Sequence, residues 1–153
     1  MEFNLPDTVT LIEVGPRDGF QFEKQFIPTD IKVDIIRALA GAGLREIQVT
    51  AFVHPRKVPQ MADAEELIGR LPHLEGVVFN GLVLNTAGLR RAREAGMRHV
   101  EISISASDTH SRNNTGMSME RAITHAKEMI RLARSANIHI RAGVQCAFGC
   151  VHE

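Results

Sequence analysis

Residues 43–50 read Gly-Leu-Arg-Glu-Ile-Gln-Val-Thr, and residues 96–103 read Gly-Met-Arg-His-Val-Glu-Ile-Ser in the same phase. Each fragment runs glycine, apolar, arginine, polar, apolar, polar, apolar, hydroxyl residue. The glycine suits the end of a helix, and the alternation after it suits a β-strand. Two copies of one helix-to-strand turn indicate a repeated βα unit, as in a (β/α)8 barrel. Because αβ loops in general share this look, an open doubly wound sheet is the alternative.

The rest of the chain alternates between strand and helix patterns. Strands are predicted at residues 9–14, 44–52, 76–84, 99–105 and 138–146. Helices are predicted from the N-cap Thr29 to Gly41, over residues 63–71, from the caps Asn85 and Thr86 to Gly96, and from the cap Ser118 to Asn137. This order predicts an α/β protein with a parallel sheet covered by helices.

The chain has 153 residues, whereas a complete barrel needs roughly 250. We therefore predict an incomplete (β/α)8 TIM-type barrel with about five strands and four helices, forming a single partial domain over residues 1–153. Such a sheet leaves two open edges, and an apolar barrel interior would lack its far wall. We expect a homo-oligomer or a complementary carboxyl-terminal chain as partner.

Composition excludes several classes of protein. Lys and Arg total 18, as do Asp and Glu, so the formal net charge is zero and gives no general reason to expect nucleic-acid or anionic-membrane binding. No apolar run approaches the roughly 20 residues that span a bilayer. Residues 1–6 lack the basic start and apolar core of a secretory signal. With only two cysteines there is no disulfide framework, so we expect a cytoplasmic protein.

Polar residues gather where the predicted strands end. Arg17, Asp18 and Gln21 follow the first strand, while Gln48, Thr50 and His54 close the second. A polar segment over residues 105–118 follows the fourth, and Gln145, Cys146, Cys150 and His152 follow the fifth. In parallel βα folds the carboxyl ends of the strands carry the functional groups, so we expect an active site at this edge. The turn over residues 15–19 matches neither a dinucleotide fingerprint nor a triphosphate loop.

Arg17 and Asp18 form the sharpest pair. Pro16 restricts the backbone before them and Gly19 frees it after them. A carboxylate at a barrel mouth is a hard oxygen ligand for Mg²⁺ or Mn²⁺. An adjacent guanidinium can hold a carboxylate or a developing enolate oxygen. The alternative is an ordinary turn with a local Asp cap and a surface Arg.

Other candidates stay open between a functional and a structural role. The segment at residues 105–118 is predicted to be a long polar loop, either functional or mobile. Asp108 and His110 could join a metal site or be solvated loop residues. Cys146 is predicted to be a buried, small apolar residue, and Cys150 is a candidate reactive thiol.

Four motifs occur in order along the chain: IEVGPRDGFQFEK at residues 12–24, AFVHPRKVPQM at 51–61, SASDTHSRNNTGMS at 105–118 and CAFGC at 146–150. Together they resemble the 3-hydroxy-3-methylglutaryl-CoA lyases, metal-dependent carbon–carbon lyases with a (β/α)8 barrel. Phe20 supports the lyases, which carry an apolar residue where the related acyl-transferring synthases usually carry Glu.

The resemblance implies cleavage of a 3-hydroxy-3-methylglutaryl-CoA-like thioester to acetyl-CoA and a keto acid with a divalent metal, Mg²⁺ or Mn²⁺. Asp18 matches the metal-ligand aspartate, and Arg17 matches the arginine that neutralises the enolate of the departing acetyl-CoA. Gln21 would support this site, Gln48 would bind beside the arginine, and Asn114 would approach the CoA portion of an acyl-CoA substrate.

Two departures from the family pattern leave alternatives. The lyases commonly carry Glu where Gln48 stands. Their two histidine ligands follow a seventh strand, whereas this chain ends after its fifth, so we expect the isolated chain to lack part of the metal site. One alternative is a truncated, non-catalytic domain that binds acyl-CoA or a partner subunit. The other is a sister lyase or aldolase acting on another 3-hydroxyacyl-CoA.

Overall fold

The sheet has five parallel strands in sequential order. The structure, a computed structural model, describes residues 4–152, so Met1–Phe3 of the amino-terminal segment and Glu153 lie outside the described residues. The strands are β1 (Ile12–Glu13), β2 (Glu46–Ala51), β3 (Val78–Leu82), β4 (His99–Ser105) and β5 (His139–Gln145), and each pairs in parallel with the next. A doubly wound sheet reverses its strand order at a switch point. The sequential order therefore confirms the incomplete barrel and rules out the alternative.

Five α-helices connect or follow these strands in the described part of the chain, one more than predicted. They are α1 (Thr29–Gly41), α2 (Ala64–Arg70), α3 (Thr86–Glu94), α4 (Asp108–Thr115) and α5 (Met119–Ser135). Two predicted caps are confirmed: Asn85 Oδ1 accepts from Gly88 N at 2.8 Å, and Ser118 Oγ accepts from Arg121 N at 3.3 Å. No helix in residues 4–152 is long and apolar enough to cross a membrane.

The additional helix, α4, lies in the segment that was predicted to be a loop, so that prediction is wrong. Ser107 caps its start by accepting from His110 N at 3.2 Å, and Gly116 ends it with φ +75° in the left-handed region. Both signals are present in the sequence. The helix is polar along its length and only Ser111 is buried, so no apolar periodicity marks it as a helix.

The first strand is much shorter than predicted. Only Ile12 and Glu13 pair with β2, and the side chains of Val9 and Leu11 are 77% and 69% exposed. The predicted buried strand over residues 9–14 is therefore wrong in length. β1 lies at the edge of the sheet, so a single neighbour provides its hydrogen bonds and less apolar surface is available to bury its side chains.

The two faces of the sheet differ in chemistry. Ile47 and Val49 of β2 pack with α1 and α2, and Val100 and Ile102 of β4 join the larger cluster with α3 and α5. Because strand side chains alternate, the intervening residues of β2 and β4 point to the opposite, inner face. Those residues include Glu46, Gln48, Glu101 and Ser103. The predicted apolar barrel interior is therefore wrong: the inner face is polar.

A buried ion pair on the other side of the sheet joins α1 to the β2–α2 connection. Lys32 Nζ lies 2.8 Å from Asp63 Oδ1 and 2.5 Å from the carbonyl oxygen of Gln60. Thr29 was predicted to be an N-cap, but α1 begins at Thr29 itself, and the Thr29 hydroxyl donates to Asp63 Oδ2 at 2.8 Å. We call this set, Thr29, Lys32, Gln60 and Asp63, the Lys32 network. Gln60 Nε2 also donates to the carbonyl oxygens of Glu23 and Gln25, so the network holds the segment between β1 and α1 against the β2–α2 connection.

Candidate active site

A tight turn directly after β1 presents Arg17 and Asp18. The amides of Arg17 and Asp18 donate to the carbonyl oxygen of Val14 at 3.0 and 2.7 Å, and Pro16 in the same turn is buried. Gly15 N donates to Glu13 Oε1 at 2.5 Å. The turn that was considered as the structural alternative is thus present. It also fixes the backbone of both candidate residues at the carboxyl end of the strand.

Four of the five predicted site residues lie together at this turn. Arg17 Nη1 donates to Asp18 Oδ1 at 2.6 Å, and Arg17 Nε donates to Gln48 Oε1 at 2.5 Å. Gln21 Nε2 donates to the same Asp18 oxygen at 3.1 Å. The Arg17 side chain is 17% exposed and that of Asp18 is 48% exposed. Hydrogen bonds to Nε and Nη1 therefore orient the Arg17 guanidinium, while the Asp18 carboxylate stays open to solvent.

Gln48 connects Arg17 to a polar network inside the sheet. Gln48 is fully buried, and its Nε2 donates to Glu101 Oε2 at 2.8 Å and to Asn80 Oδ1 at 3.0 Å. Arg141 Nε donates to the same Glu101 oxygen at 3.1 Å, and Asn80 Nδ2 donates to Glu46 Oε1 at 3.2 Å. We call the residues on these contacts, together with Asp18, the Arg17 network: Arg17, Asp18, Glu46, Gln48, Asn80, Glu101 and Arg141.

Four residues of the network were not predicted to be site residues, because they lie within strands whose interiors were expected to be core: Glu46, Asn80, Glu101 and Arg141. The signal was present in the alternation itself. In β2 and β4 every second residue is polar, and a period of two places those residues on one face. A run of polar residues on one face of several neighbouring strands indicates a polar interior.

Asn114, the fifth predicted site residue, lies on α4 at the other end of the described sheet. Its Nδ2 lies 3.5 Å from Gln145 Oε1 at the end of β5. Together with Ser103, Ser105 and Ser111 it lines a small cleft between β4, β5 and α4. Asn114 is therefore at the predicted edge of the sheet but belongs to a separate group from Arg17 and Asp18.

Asp108 makes local contacts in α4 and at the start of α5, whereas the buried Nδ1 atom of His110 has no hydrogen-bond partner among the described residues. Asp108 Oδ1 accepts from Met119 N at 2.7 Å and Oδ2 accepts from Arg112 Nε at 2.7 Å. The Met119 amide and then the Arg112 guanidinium hold the pKa of this carboxyl below its usual value. His54, at the end of β2, is exposed and accepts from Arg56 N at 3.2 Å. Across residues 4–152, the His, Cys, Asp and Glu side chains form no group of three that could hold a metal ion.

The two cysteines lie close together just after β5. Their Sγ atoms are 3.2 Å apart, and both residues are partly exposed, so the prediction that Cys146 is buried is wrong. Cys146 adopts φ +56°, in the left-handed region, because the chain turns sharply out of the strand there. The contact with Cys150 raises the pKa of the Cys146 thiol, while the backbone amide of His152 and then Cys146 lower the pKa of the Cys150 thiol.

Comparison with known proteins assigns the family. A family model described as HMGL-like matches residues 8–152. The cytoplasmic 3-hydroxy-3-methylglutaryl-CoA lyase of Rattus norvegicus is 43% identical over 149 residues, which are 97% of this chain and 43% of the relative. The chain thus spans about half the length of the curated relatives that it matches.

Solved structures agree in fold. The HMG-CoA lyase of Bacillus subtilis superposes with a TM-score of 0.90 at 38% identity, covering 95% of this chain and 49% of that one. An HMG-CoA lyase from Acinetobacter baumannii, in complex with coenzyme A and 3-methylmalate, superposes with a TM-score of 0.86 at 31% identity over 92% of this chain and 46% of that one. The chain therefore belongs to the HMGL-like family.

Proposed function

We propose that this chain supplies the amino-terminal half of a carbon–carbon lyase site that cleaves a 3-hydroxy-3-methylglutaryl-CoA-like thioester to acetyl-CoA and a keto acid. The observation that carries the proposal is the Arg17 guanidinium, which Gln48 and Asp18 hold at the carboxyl end of β1. Membership of the HMGL-like family supports it, because the matched relatives are named as lyases of this kind.

The proposed reaction breaks the bond between the second and third carbons of the acyl chain. The 3-hydroxyl loses its proton, its oxygen becomes a carbonyl, and the bonding electrons move onto the thioester as an enolate that is then protonated. Arg17 stabilises the enolate oxygen, a charge that exists only as the bond breaks. Gln48 and Asp18 hold Nε and Nη1, so the guanidinium plane is oriented before substrate binds.

The divalent metal, Mg²⁺ or Mn²⁺, is part of the same proposal. Asp18 is half exposed and offers a hard oxygen donor, so it fits one ligand position. The described residues do not complete a metal site by themselves, and we propose that the remaining ligands come from the part of the fold that the matched relatives have in addition. When bound, such a metal acts as a Lewis acid and orients the substrate.

The remaining assignments extend this proposal. Asn114 would contact the CoA portion, and Gln21 would hold the Asp18 carboxylate in place. Residues 1–153 would form one partial barrel domain whose partner is a second copy or a complementary carboxyl-terminal chain. Val144 on the edge strand β5 is exposed, and such a partner would cover it. A cytoplasmic location is proposed because the rat relative is named cytoplasmic.

One observation favours a second candidate function. Gln48 is neutral at a position where the resembling lyases carry Glu, and Asn80 and Glu101 hold it in the network. A sister lyase acting on another 3-hydroxyacyl-CoA would account for that exchange. The non-catalytic acyl-CoA-binding domain has no comparable observation in its favour.

A chimeric enzyme tests the proposal. Residues 8–152 would replace the matched segment of the Bacillus subtilis lyase, and release of acetyl-CoA from 3-hydroxy-3-methylglutaryl-CoA would be measured with Mg²⁺ or Mn²⁺. We expect the chimera to cleave the thioester and Asp18→Ala to abolish cleavage. The matched control is Asp34→Ala on the exposed side of α1, which should retain activity.

The outcomes separate the hypotheses. A chimera that folds but cleaves only another 3-hydroxyacyl-CoA supports the sister lyase. A folded chimera that cleaves neither substrate, with Gln48 or with Gln48→Glu, contradicts the lyase proposal. The isolated 153-residue chain should be inactive, and activity in that chain would overturn the claim that it holds only part of the site.

A further inference from the structure

We propose that Glu101 is a positioning residue for Arg17, which it holds in register through the Gln48 amide. This inference rests on the proposed function, in which Arg17 meets the enolate, and it adds how Arg17 is oriented. Glu101 lies on β4, two strands from β2, and its carboxylate accepts from Gln48 Nε2 at 2.8 Å. It supplies to the interior the negative charge that Gln48 lacks.

The orientation of Gln48 follows from what each neighbour can do. A carboxamide has a donor end and an acceptor end of nearly equal shape, whereas a carboxylate only accepts. Glu101 therefore requires the Nε2 end of Gln48, and Oε1 is left facing Arg17 Nε at 2.5 Å. The reverse orientation would place two donors against each other at Arg17 and two acceptors against each other at Glu101.

Asn80 reinforces the same choice. Its Nδ2 donates to the Glu46 carboxylate, so its Oδ1 faces Gln48 Nε2 at 3.0 Å. Arg141 then holds Glu101 and lies 3.8 Å from Glu46. Both donor hydrogens of Gln48 Nε2 are used, and each acceptor is itself fixed by a charged group. Because Oε1 and both Nε2 hydrogens of the buried Gln48 amide have partners, the network favours one orientation of that amide.

The charge balance gives a second reason for Glu101. Asp18 is the direct ionic partner of Arg17, but in the proposed lyase its carboxylate also serves the metal. Of the remaining carboxylates, Glu101 reaches Arg17 through a single intervening side chain. Its side chain is 15% exposed, so water screens its charge far less than that of a surface carboxylate.

Nuclear magnetic resonance on the isolated chain tests the orientation directly. The signal of the Arg17 Nε–H group is assigned with Arg17→Lys, and its exchange with water is compared between the parent and Glu101→Met. We expect exchange to accelerate about tenfold, the factor for one hydrogen bond to a charged group. Glu101→Gln, which keeps an acceptor, should accelerate it less. Glu128→Gln, at an exposed carboxylate on α5, is the control. An unchanged rate in Glu101→Met overturns the proposal.

A charge exchange keeps the test decisive if Glu101→Met fails to fold. Gln48→Glu alone places two carboxylates against each other and should lower the thermal midpoint at pH 7. Adding Glu101→Gln returns a donor to that contact, so the double variant should regain most of the midpoint and the slow Arg17 exchange. Additive losses in the two single variants would show that the residues are not coupled and would contradict the proposal.

Activity in the chimera separates this inference from the proposed function. Glu101→Met should lower kcat about tenfold with little change in KM, because it misplaces a group that acts only in the transition state. An active chimera whose kcat is unaffected by Glu101→Met overturns the positioning role alone. A chimera that never cleaves the thioester, while Arg17 exchange still responds to Glu101→Met, overturns the function alone.

Discussion

The Lys32 network and the Arg17 network are built from the same chemical parts, a cation, an amide and a carboxylate from neighbouring elements. In the Lys32 network, Lys32 is 1% exposed and Asp63 is nearly buried. Lys32 Nζ also lies 4.4 Å from the centroid of the Phe26 ring. In the second, Gln48 is as deeply buried, but Asp18 and Arg141 open to solvent.

The difference separates a structural use of buried charge from a functional one. In the Lys32 network the ammonium and both carboxylate oxygens have protein partners, and the network joins α1 to the segments around it. The Arg17 network is anchored at its inner end and has an exposed carboxylate at its outer end. Damage to the Lys32 network should therefore reduce stability, and damage to the Arg17 network should reduce activity.

The largest effect on stability is expected from Lys32→Met. It leaves the Asp63 carboxylate buried without its cation, which costs about 3–5 kcal/mol in comparable pairs. Urea unfolding of the isolated chain measures the loss, and Lys127→Met at an exposed position is the control. A loss as small as that of the control would show that the two networks do not differ as described.

Arg17→Met is expected to lower stability far less. Its partner Asp18 is half exposed and can be solvated when the guanidinium is removed, and the buried Gln48 Oε1 loses one hydrogen bond. The loss should therefore be about 1–2 kcal/mol. The same unfolding experiment applies. A loss that matches Lys32→Met would mean that Arg17 belongs to the structural core.

An exposed ion pair marks the lower end of this scale. Arg91 donates to Glu65 through Nε and Nη2 at 2.5 and 3.0 Å, and this hydrogen bonding lowers the pKa of the Glu65 carboxyl. Because the pKa of Glu65 is lower in the folded protein, the ion pair stabilises the fold fully above the unfolded pKa of about 4.5. That stabilisation is lost as the pH falls through the folded pKa. Glu65→Gln should therefore cost roughly 0.5 kcal/mol at pH 7 and nothing in acid. Unfolding curves at both pH values check it, and an equal loss at both would contradict the electrostatic cause.

Cys146 and Cys150, which follow the edge strand β5, should differ in reactivity. Modification of either thiol should leave the stability of the chain unchanged. The thiolate is the reactive form, and the pKa of Cys150 is lowered while that of Cys146 is raised. Mass spectrometry after brief iodoacetamide treatment over a pH series should show Cys150 modified at lower pH than Cys146. Cys146→Ser and Cys150→Ser show which modified species belongs to which thiol in the parent. The reverse order would contradict the assigned contacts.

Much of the fold was predictable because its signals are local. The glycine-led repeats at residues 43–50 and 96–103 both precede strands of the sheet, and Asn85 and Ser118 cap the predicted helices. The failure at α4 was local, because the signals at Ser107 and Gly116 were present in the sequence. The other failures have nonlocal causes. The length of β1 depends on a neighbouring strand, and Thr29 donates to Asp63, which is 34 positions away in the sequence.

The candidate site was predictable only in part for the same reason. Arg17, Asp18 and Gln21 are close in sequence, and Gln48, which was expected near the end of the next strand, is in contact with Arg17. Glu101 and Arg141 are 53 and 40 residues from the groups that they bind. These contacts depend on the register between neighbouring strands, which cannot be predicted from a single sequence.

The most direct test of the central claim is the kcat of the chimeric lyase with Arg17→Met, compared with Arg70→Met. Both residues are arginines paired with an aspartate, but Arg70 pairs with Asp30 and Glu66 on the helical surface. The account predicts that Arg17→Met lowers kcat about 100- to 1,000-fold, as for loss of a donor to a developing oxyanion. Arg70→Met should leave kcat unchanged. Equal kcat values in the two variants would contradict the assignment of the Arg17 network to catalysis.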